Sequence, residues 1–260
     1  MAPRNRHARP SSRSWDPVAT WYTGWVGARG SNHHRQLAIP ALLDLLNLLP
    51  GEHVLDVGCG PGVLAGEVAR LKGRYTGVDA SPKLLAFARR HHGSRGQFVL
   101  GDATRLDTVP EIRKGAFDAA TFLLSIQDIE PLEHAFSSAA ASVRRGGRIV
   151  VLMTHPCFRV PRQSGWGWDA ERRLQYRRVD RYLTRLDVPM KAYEGGRGTT
   201  WSHHRPLADY VNGLAANGLF LDRIEEIPGL HAMPRSGASP AERMALKEIP
   251  LFMGVRAVKR

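Results

Sequence analysis

Nine residues constrain this chain of 260 more than any others: VLDVGCGPG at 54–62. A short apolar run meets Gly58, Gly60 and Gly62, and a helical pattern follows from Val63 to Leu71. Glycine accepts the positive φ of a tight strand-to-helix turn and lets a ligand approach the backbone closely. The same strand-then-helix theme recurs downstream. HVLDV (53–57), RYTGV (74–78), QFVL (97–100), FDAATFLL (117–124) and RIVVLM (148–153) read as five strands. Ser81 and Pro82 read as N-cap and first residue of a helix through about His91. Pro131 opens another helix, to about Arg145, with Gly146–Gly147 as its stop. This alternation predicts an α/β fold with a parallel, doubly wound sheet.

The C-terminal third breaks the alternation. A helix begins at Pro206, with Leu207, Tyr210, Val211 and Leu214 on one face and Gly218 after it. FLDRIEEI (220–227) and PLFMGVRAVK (250–259) read as two more strands with no full helical pattern between them, so an antiparallel pair is expected. Residues 155–205 show no clean period, carry Trp166, Trp168, Tyr176 and Tyr182 and many arginines, and are too long for a simple connection. The expected organisation is a disordered basic arm at 1–14, an N-terminal helical cap at 15–50, and a main domain at 51–260 with a lid insertion at 155–205.

Charge narrows the function classes. The formal net charge is +13, from 37 Lys+Arg against 24 Asp+Glu. Residues 1–35 hold a net +5 and residues 155–205 a net +6, while 36–154 and 206–260 are each at +1. Two cysteines, Cys59 and Cys157, cannot build a disulfide framework, which points to a reducing, cytoplasmic setting. No apolar run reaches the ~18 residues of a membrane helix. Nucleic acid stays open as a partner.

The glycine spacing and its neighbours point to a cofactor. The dinucleotide fingerprint is G-x-G-x-x-G, and here the third glycine comes one residue early. Asp56, just before the turn, would repel a pyrophosphate and welcome a cation. Asp79 and Asp102 end the second and third strands at equal intervals of 23 residues. A carboxylate at Asp79 can accept hydrogen bonds from both hydroxyls of a ribose.

VLDVGCGPG resembles the first motif of the class I S-adenosylmethionine-dependent methyltransferases, over residues 51–155 in particular. The resemblance implies a Rossmann-like seven-stranded sheet with an antiparallel C-terminal strand. It implies S-adenosylmethionine as cofactor, its methionine part on Gly58, Cys59, Gly60 and Gly62 and its ammonium near Asp56. The ribose falls to Asp79 with Ala80, and adenine to Asp102 and Ala103. Leu124 lies beside the cofactor, and Tyr22 closes over it as in related small-molecule enzymes. After the fourth strand, where the family places residues beside the transferred methyl, this chain has Ser125, Ile126, Gln127 and Asp128. The D/N-P-P-Y motif of amino-base methyltransferases is absent. Gln127 and Asp128 are candidates for contact with cofactor or substrate, although Asp128 also suits a helix cap before Pro131.

His155, after the fifth strand, is a candidate general base. Cys157 reads as a structural thiol or, as in some cytosine-C5 RNA methyltransferases, a covalent nucleophile; their second Pro-Cys is missing here. Trp25, His34, His203, His204 and Arg205 are candidates for the substrate cleft, with core packing the alternative for Trp21 and Trp25; His33 and His34 with His203 and His204 raise a metal reading. No cysteine or acid stands at a metal-ligand spacing, so no metal is expected. The expected reaction is methyl transfer to a small-molecule O, N or C nucleophile, an acidic one by the charge distribution. The rivals are an RNA methyltransferase using the basic arm and lid, an NAD(P) oxidoreductase, and a cofactor sensor without catalysis. Nothing in the sequence sets an oligomeric state.

Overall fold

A computed structural model describes residues 15–191, 198–230 and 237–260. The expected arm at 1–14 lies outside the described residues. In chain order the elements are helices α1 (Ala19–Val26) and α2 (Ile39–Leu46), strand β1 (His53–Val57), α3 (Ala65–Arg70), β2 (Arg74–Asp79), α4 (Pro82–His92), β3 (Gln97–Leu100), β4 (Phe117–Leu123), α5 (Leu132–Ser142) and β5 (Val143–Thr154). Then come strands β6 (Ser164–Asp169), β7 (Leu174–Val179), β8 (Leu186–Lys191) and β9 (Thr199–His204), α6 (Leu207–Ala215), β10 (Leu219–Pro228), α7 (Pro240–Glu248) and β11 (Pro250–Lys259).

Seven strands form one sheet in the order β10-β11-β5-β4-β1-β2-β3. The pairs from β5 to β3 are parallel, and β11 runs antiparallel to both β5 and β10. Both faces are covered, so the central strands are apolar on both sides. Leu55, Phe122 and Val151 pack on one face with α5 and α6. Val54, Val150 and Leu152 pack on the other with α2, α3 and α4. The strand ends that precede α3 and α4, and the loops after β3, β4 and β5, therefore share the carboxyl edge of the sheet.

Local signals explain most boundaries. The Ser81 hydroxyl accepts the Leu84 amide at 3.2 Å, capping α4 as the sequence reading expects. Three expectations need correction. First, α5 ends at Ser142, because Val143 already pairs with Phe117 in the sheet. The glycines Gly146–Gly147 form a bulge inside β5: its register jumps from Phe117↔Val143 to Ala119↔Arg148. A Cβ on Gly147 would lie 2.6 Å from the Asp118 carbonyl. Second, α7 does lie between β10 and β11. It starts with a capping box in which Ser Oγ of residue 239 accepts the Glu242 amide and Glu242 accepts the Ser239 amide. Only Ala245 of α7 is buried, so an apolar-period search passes over it. Third, residues 155–205 are not aperiodic: they hold two antiparallel hairpins, β6–β7 and β8–β9.

Phe136 of α5 is fully buried, meets Phe122 edge-on at 6.0 Å, and backs onto Gly213 of α6. Truncation leaves a cavity that α6 cannot fill. Phe136→Ala is expected to cost about 3–5 kcal/mol of unfolding free energy by denaturant titration.

Candidate cofactor and acceptor site

The glycine turn is fastened to the end of β2. The Val78 carbonyl accepts two amides, Gly58 at 2.8 Å and Cys59 at 3.0 Å. The Asp79 carboxylate accepts the Gly60 amide at 2.8 Å through one oxygen and the Ser81 amide at 2.8 Å through the other. All three glycines have positive φ. A Cβ on Gly58 would stand 2.7 Å from Ser125 Cβ, and one on Gly62 2.7 Å from Phe98 Cε1. Around Gly60 the nearest atom is Tyr22 Cε1 at 3.9 Å, so the tyrosine ring lies over the middle of the turn. Buried Cys59 sits below it, its thiol held protonated by burial and by Asp79 and Asp56.

Asp56 is sealed under the turn. Its two oxygens accept the Tyr75 hydroxyl at 2.7 Å and the Thr121 hydroxyl at 2.9 Å, which ties β1 to β2 and β4. Burial raises its pKa to about 6, against the two hydrogen bonds that lower it. Asp79 is half-buried and its pKa is raised, chiefly by burial; Ala80 beside it is exposed. Asp102 is exposed, and one of its oxygens accepts the amide and the hydroxyl of Thr104 in an Asx turn. Ala103 packs at the rim of the core.

Beyond β4 the chain makes a sharp turn. Leu124 takes a φ of 53° and donates its amide to the Leu152 carbonyl. Ser125 donates its hydroxyl to the Val57 carbonyl at 2.7 Å, joining this loop to the glycine turn. Asp128 does not cap α5, whose first-turn amides receive no side-chain bond. It instead receives a hydrogen bond from Ser202 of β9 and lies near Arg205. Burial outweighs both partners and raises its pKa to about 8. Tyr22 is affected in turn: burial, then Asp128 and Asp79, push its phenol far above the usual value. Tyr22, Asp79 and Asp128 thus converge over the glycine turn.

The other expected residues fall in different places. His155 is buried with both nitrogens engaged: Nδ1 accepts the Cys157 amide at 3.2 Å and Nε2 faces Glu226 at 2.9 Å. The lone pair a base needs is taken, so the general-base expectation for His155 does not match its bonding. Cys157 donates its thiol to the Tyr182 hydroxyl at 3.5 Å. His34 is buried near Gly30 and bonded to Ser31 at 2.8 Å, and burial lowers its pKa to about 4. Trp25 is exposed and stacks on Trp21 at 6.1 Å. His203, His204 and Arg205 are all buried at the end of β9. Arg205 donates to the Ile126 and Ile129 carbonyls and to the Glu130 carboxylate, which binds β9 to the loop after β4. Among the described residues no group of three or more His, Cys, Asp or Glu is placed to hold a metal ion.

Comparison with known proteins bears on this geometry. The family profile described as "Methyltransferase domain" matches residues 54–147, from the glycine turn to the bulge of β5. The solved S-adenosylmethionine dependent methyltransferase from Mesorhizobium loti superposes with a TM-score of 0.69, at 27% identity, over 90% of this chain and all of that one. Residues 54–147 thus match the methyltransferase-domain family, and the chain as a whole shares the fold of an S-adenosylmethionine-dependent methyltransferase. The ubiquinone biosynthesis O-methyltransferase of Xanthomonas campestris pv. campestris is 32% identical over 143 residues. That match covers 54% of this chain, which spans 59% of the relative's length. Geranyl diphosphate C-methyltransferase from Streptomyces coelicolor, solved with S-adenosyl-L-homocysteine, shares the fold at a TM-score of 0.54 and 17% identity.

The residues present suit this family's cofactor. The turn offers a backbone cradle at Gly60, and its surroundings are carboxylates and aromatic rings, with Asp79 and Asp128 set over the glycines. Such a donor set favours a cationic sulfonium and a ribose diol over a pyrophosphate. Sequence reasoning missed Ser125, Ser202 and Tyr75. A hydroxyl that bonds a carbonyl or carboxylate 68 or 19 residues away has no local signature. Asp56→Ala would strand the Tyr75 and Thr121 hydroxyls in the core. It is expected to cost roughly 1–3 kcal/mol for each, read by thermal or denaturant unfolding, with Asp56→Asn losing less.

Proposed function

We propose that this methyltransferase moves the methyl group of S-adenosylmethionine to a small-molecule nucleophile. In this reading Gly58, Cys59, Gly60 and Gly62 hold the methionine part, Asp79 the ribose, and Asp102 with Ala103 the adenine. Tyr22 and the N-terminal segment 15–50 cover the cofactor, and Gln127 and Asp128 mark the edge where the methyl leaves. The cofactor supplies a methyl carbon already activated by a sulfonium leaving group. The protein's share is orientation and exclusion of water, worth up to roughly 7–11 kcal/mol where alignment is good.

One observation carries the choice of a small molecule. The acceptor side of the site is walled by β9, where Ser202, His203, His204 and Arg205 are all buried. The end of β9 acts here as a closed cover rather than an open basic groove, and Arg205 spends its charge on Glu130. The relatives named for ubiquinone biosynthesis O-methylation support the same class. Cell extract incubated with methyl-labelled cofactor is expected to yield label in the small-molecule fraction. Label confined to RNA, with transfer falling steeply as salt rises, would overturn the proposal.

Two binding outcomes follow from the carboxylates. Asp79→Ala removes ribose hydrogen bonds, so S-adenosylhomocysteine affinity should fall by roughly 1.5–3 kcal/mol per bond lost. Asp128 is neutral below pH 8 because burial raises its pKa to about 8. A sulfonium beside it favours the carboxylate, so binding expels the proton. The preference for S-adenosylmethionine over S-adenosylhomocysteine should therefore grow as pH rises from 6 to 8 and level off above. Calorimetry at several pH values reads this, and Asp128→Asn should flatten the profile.

A further inference from the structure

Among the described residues, three groups around one small cavity are left without the partner their chemistry calls for. The cavity lies beside Asp128, under β9, and Gln127, Arg159, Ser202, His203 and Tyr210 are among its walls. Gln127 donates its amide nitrogen to the Leu124 carbonyl at 2.6 Å. A carbonyl only accepts, so that bond sets the amide's orientation. Gln127 Oε1 is then a buried acceptor with no donor. His203 is built in the same way. Its Nδ1 stands 2.7 Å from the Asp187 carboxylate, which only accepts, so Nδ1 carries the hydrogen. In the neutral ring the other nitrogen, Nε2, carries the lone pair, and among the described residues it too is buried without a partner, in a side chain only 2% exposed.

Arg159 supplies the third feature. Its guanidinium lies 5.2 Å from the centre of the Trp166 ring, with Arg177 on the same ring at 5.1 Å. Its guanidinium donates to the Pro250 carbonyl at 3.3 Å. Among the described residues no carboxylate forms an ion pair with it. Burial and the nearby Arg177 pull its pKa down to about 10, as for a cation lacking a counter-charge. Arg205, the other cation in the wall, is already neutralised by Glu130. A half-buried, uncompensated charge is costly to keep, and an anion beside Arg159 relieves that cost.

We propose that the methyl acceptor is a hydroxylated organic anion, a hydroxycarboxylic acid or its phosphate counterpart. Its charged group sits at Arg159, and its hydroxyl donates to His203 Nε2 beside Gln127 Oε1. This rests on the methyltransferase reading above and names the substrate class of that site. His203, held by Asp187, takes the hydroxyl proton as the oxygen bonds to the methyl carbon. The pair of the broken carbon–sulfur bond stays on sulfur as a neutral thioether, and Nε2, now protonated, gives the proton up to solvent once the methylated product has left the cavity. Asp187 is then a positioning residue for His203.

The test uses the full chain saturated with S-adenosylhomocysteine, whose own binding is measured first. The probes are hydroxybenzoates and aliphatic hydroxy acids, each compared with its neutral amide and with the acid lacking the hydroxyl. The best acid should bind at least tenfold more tightly than its amide and than its deoxy counterpart. Arg159→Gln should erase the preference over the amide while leaving S-adenosylhomocysteine affinity and the melting temperature unchanged, and Arg159→Lys should restore part of it. Amides binding as well as acids, or an undiminished preference in Arg159→Gln, would overturn this proposal alone. Absence of S-adenosylhomocysteine binding would overturn the methyltransferase reading with it.

Discussion

The site depends on one clamp: the carboxyl end of β2 holds the glycine turn that follows β1. A single carbonyl, Val78, takes two of the turn's amides, and Asp79 takes a third while bonding the start of α4. These amides would otherwise be unpaired where α3 begins. Because the bonds are backbone to backbone or backbone to carboxylate, the turn's shape is insensitive to what Cys59 or Pro61 present to the ligand. Beneath the clamp, buried Asp56 draws Tyr75 and Thr121 together. Above it, Ser125 of the next loop closes against Val57. Three neighbouring strand ends are thereby locked at the same height, and that brings Asp79 and Asp128 to one edge of the sheet.

Electrostatics at this edge run opposite to the whole chain. The protein carries a formal charge of +13, yet the cofactor edge gathers carboxylates that burial pushes toward the neutral form. Asp56 and Asp128, raised to about 6 and about 8, disfavour ionisation in the folded state. A cationic ligand reverses that preference at Asp128. Across the cleft the sign changes: Arg159 and Arg177 share the Trp166 ring, and among the described residues Arg159 has no carboxylate partner. A site acidic on one wall and basic on the other suits a cation meeting an anion.

Much of the scaffold was legible in the residues. Five strands, the caps at Ser81 and Pro206, and the antiparallel final strand follow from short apolar runs and turn chemistry acting locally. The glycine turn with Asp79 and Asp102 at strand ends was legible because the spacing of βα units puts those positions in register. What escaped depends on long-range pairing. Gly146–Gly147 reads as a helix stop because a bulge is visible only against its partner strand β4. Helix α7 is polar over most of its length and buries only Ala245, so no apolar run marks it. The strands of the β6–β7 hairpin bury no residue and carry arginines that need no burial, and β9 buries Thr200, Ser202, His203 and His204, polar residues that give no apolar run. His155 looked like a base from its position after β5, but whether its nitrogens are free depends on Glu226, 71 residues away. His203 and Asp187 pair only once β8 and β9 meet.

The central claim is that the clamped turn and the three strand ends form one cofactor cradle whose open side faces the cavity at Gln127 and His203. The most direct measurement is a crystal structure with S-adenosylhomocysteine bound. The account predicts ribose hydroxyls on Asp79, the homocysteine chain along Gly58–Gly62 under Tyr22, and the thioether sulfur facing the side of Gln127 and Asp128. A ligand that leaves Asp79 without a ribose contact, or turns its sulfur away from that cavity, would contradict it.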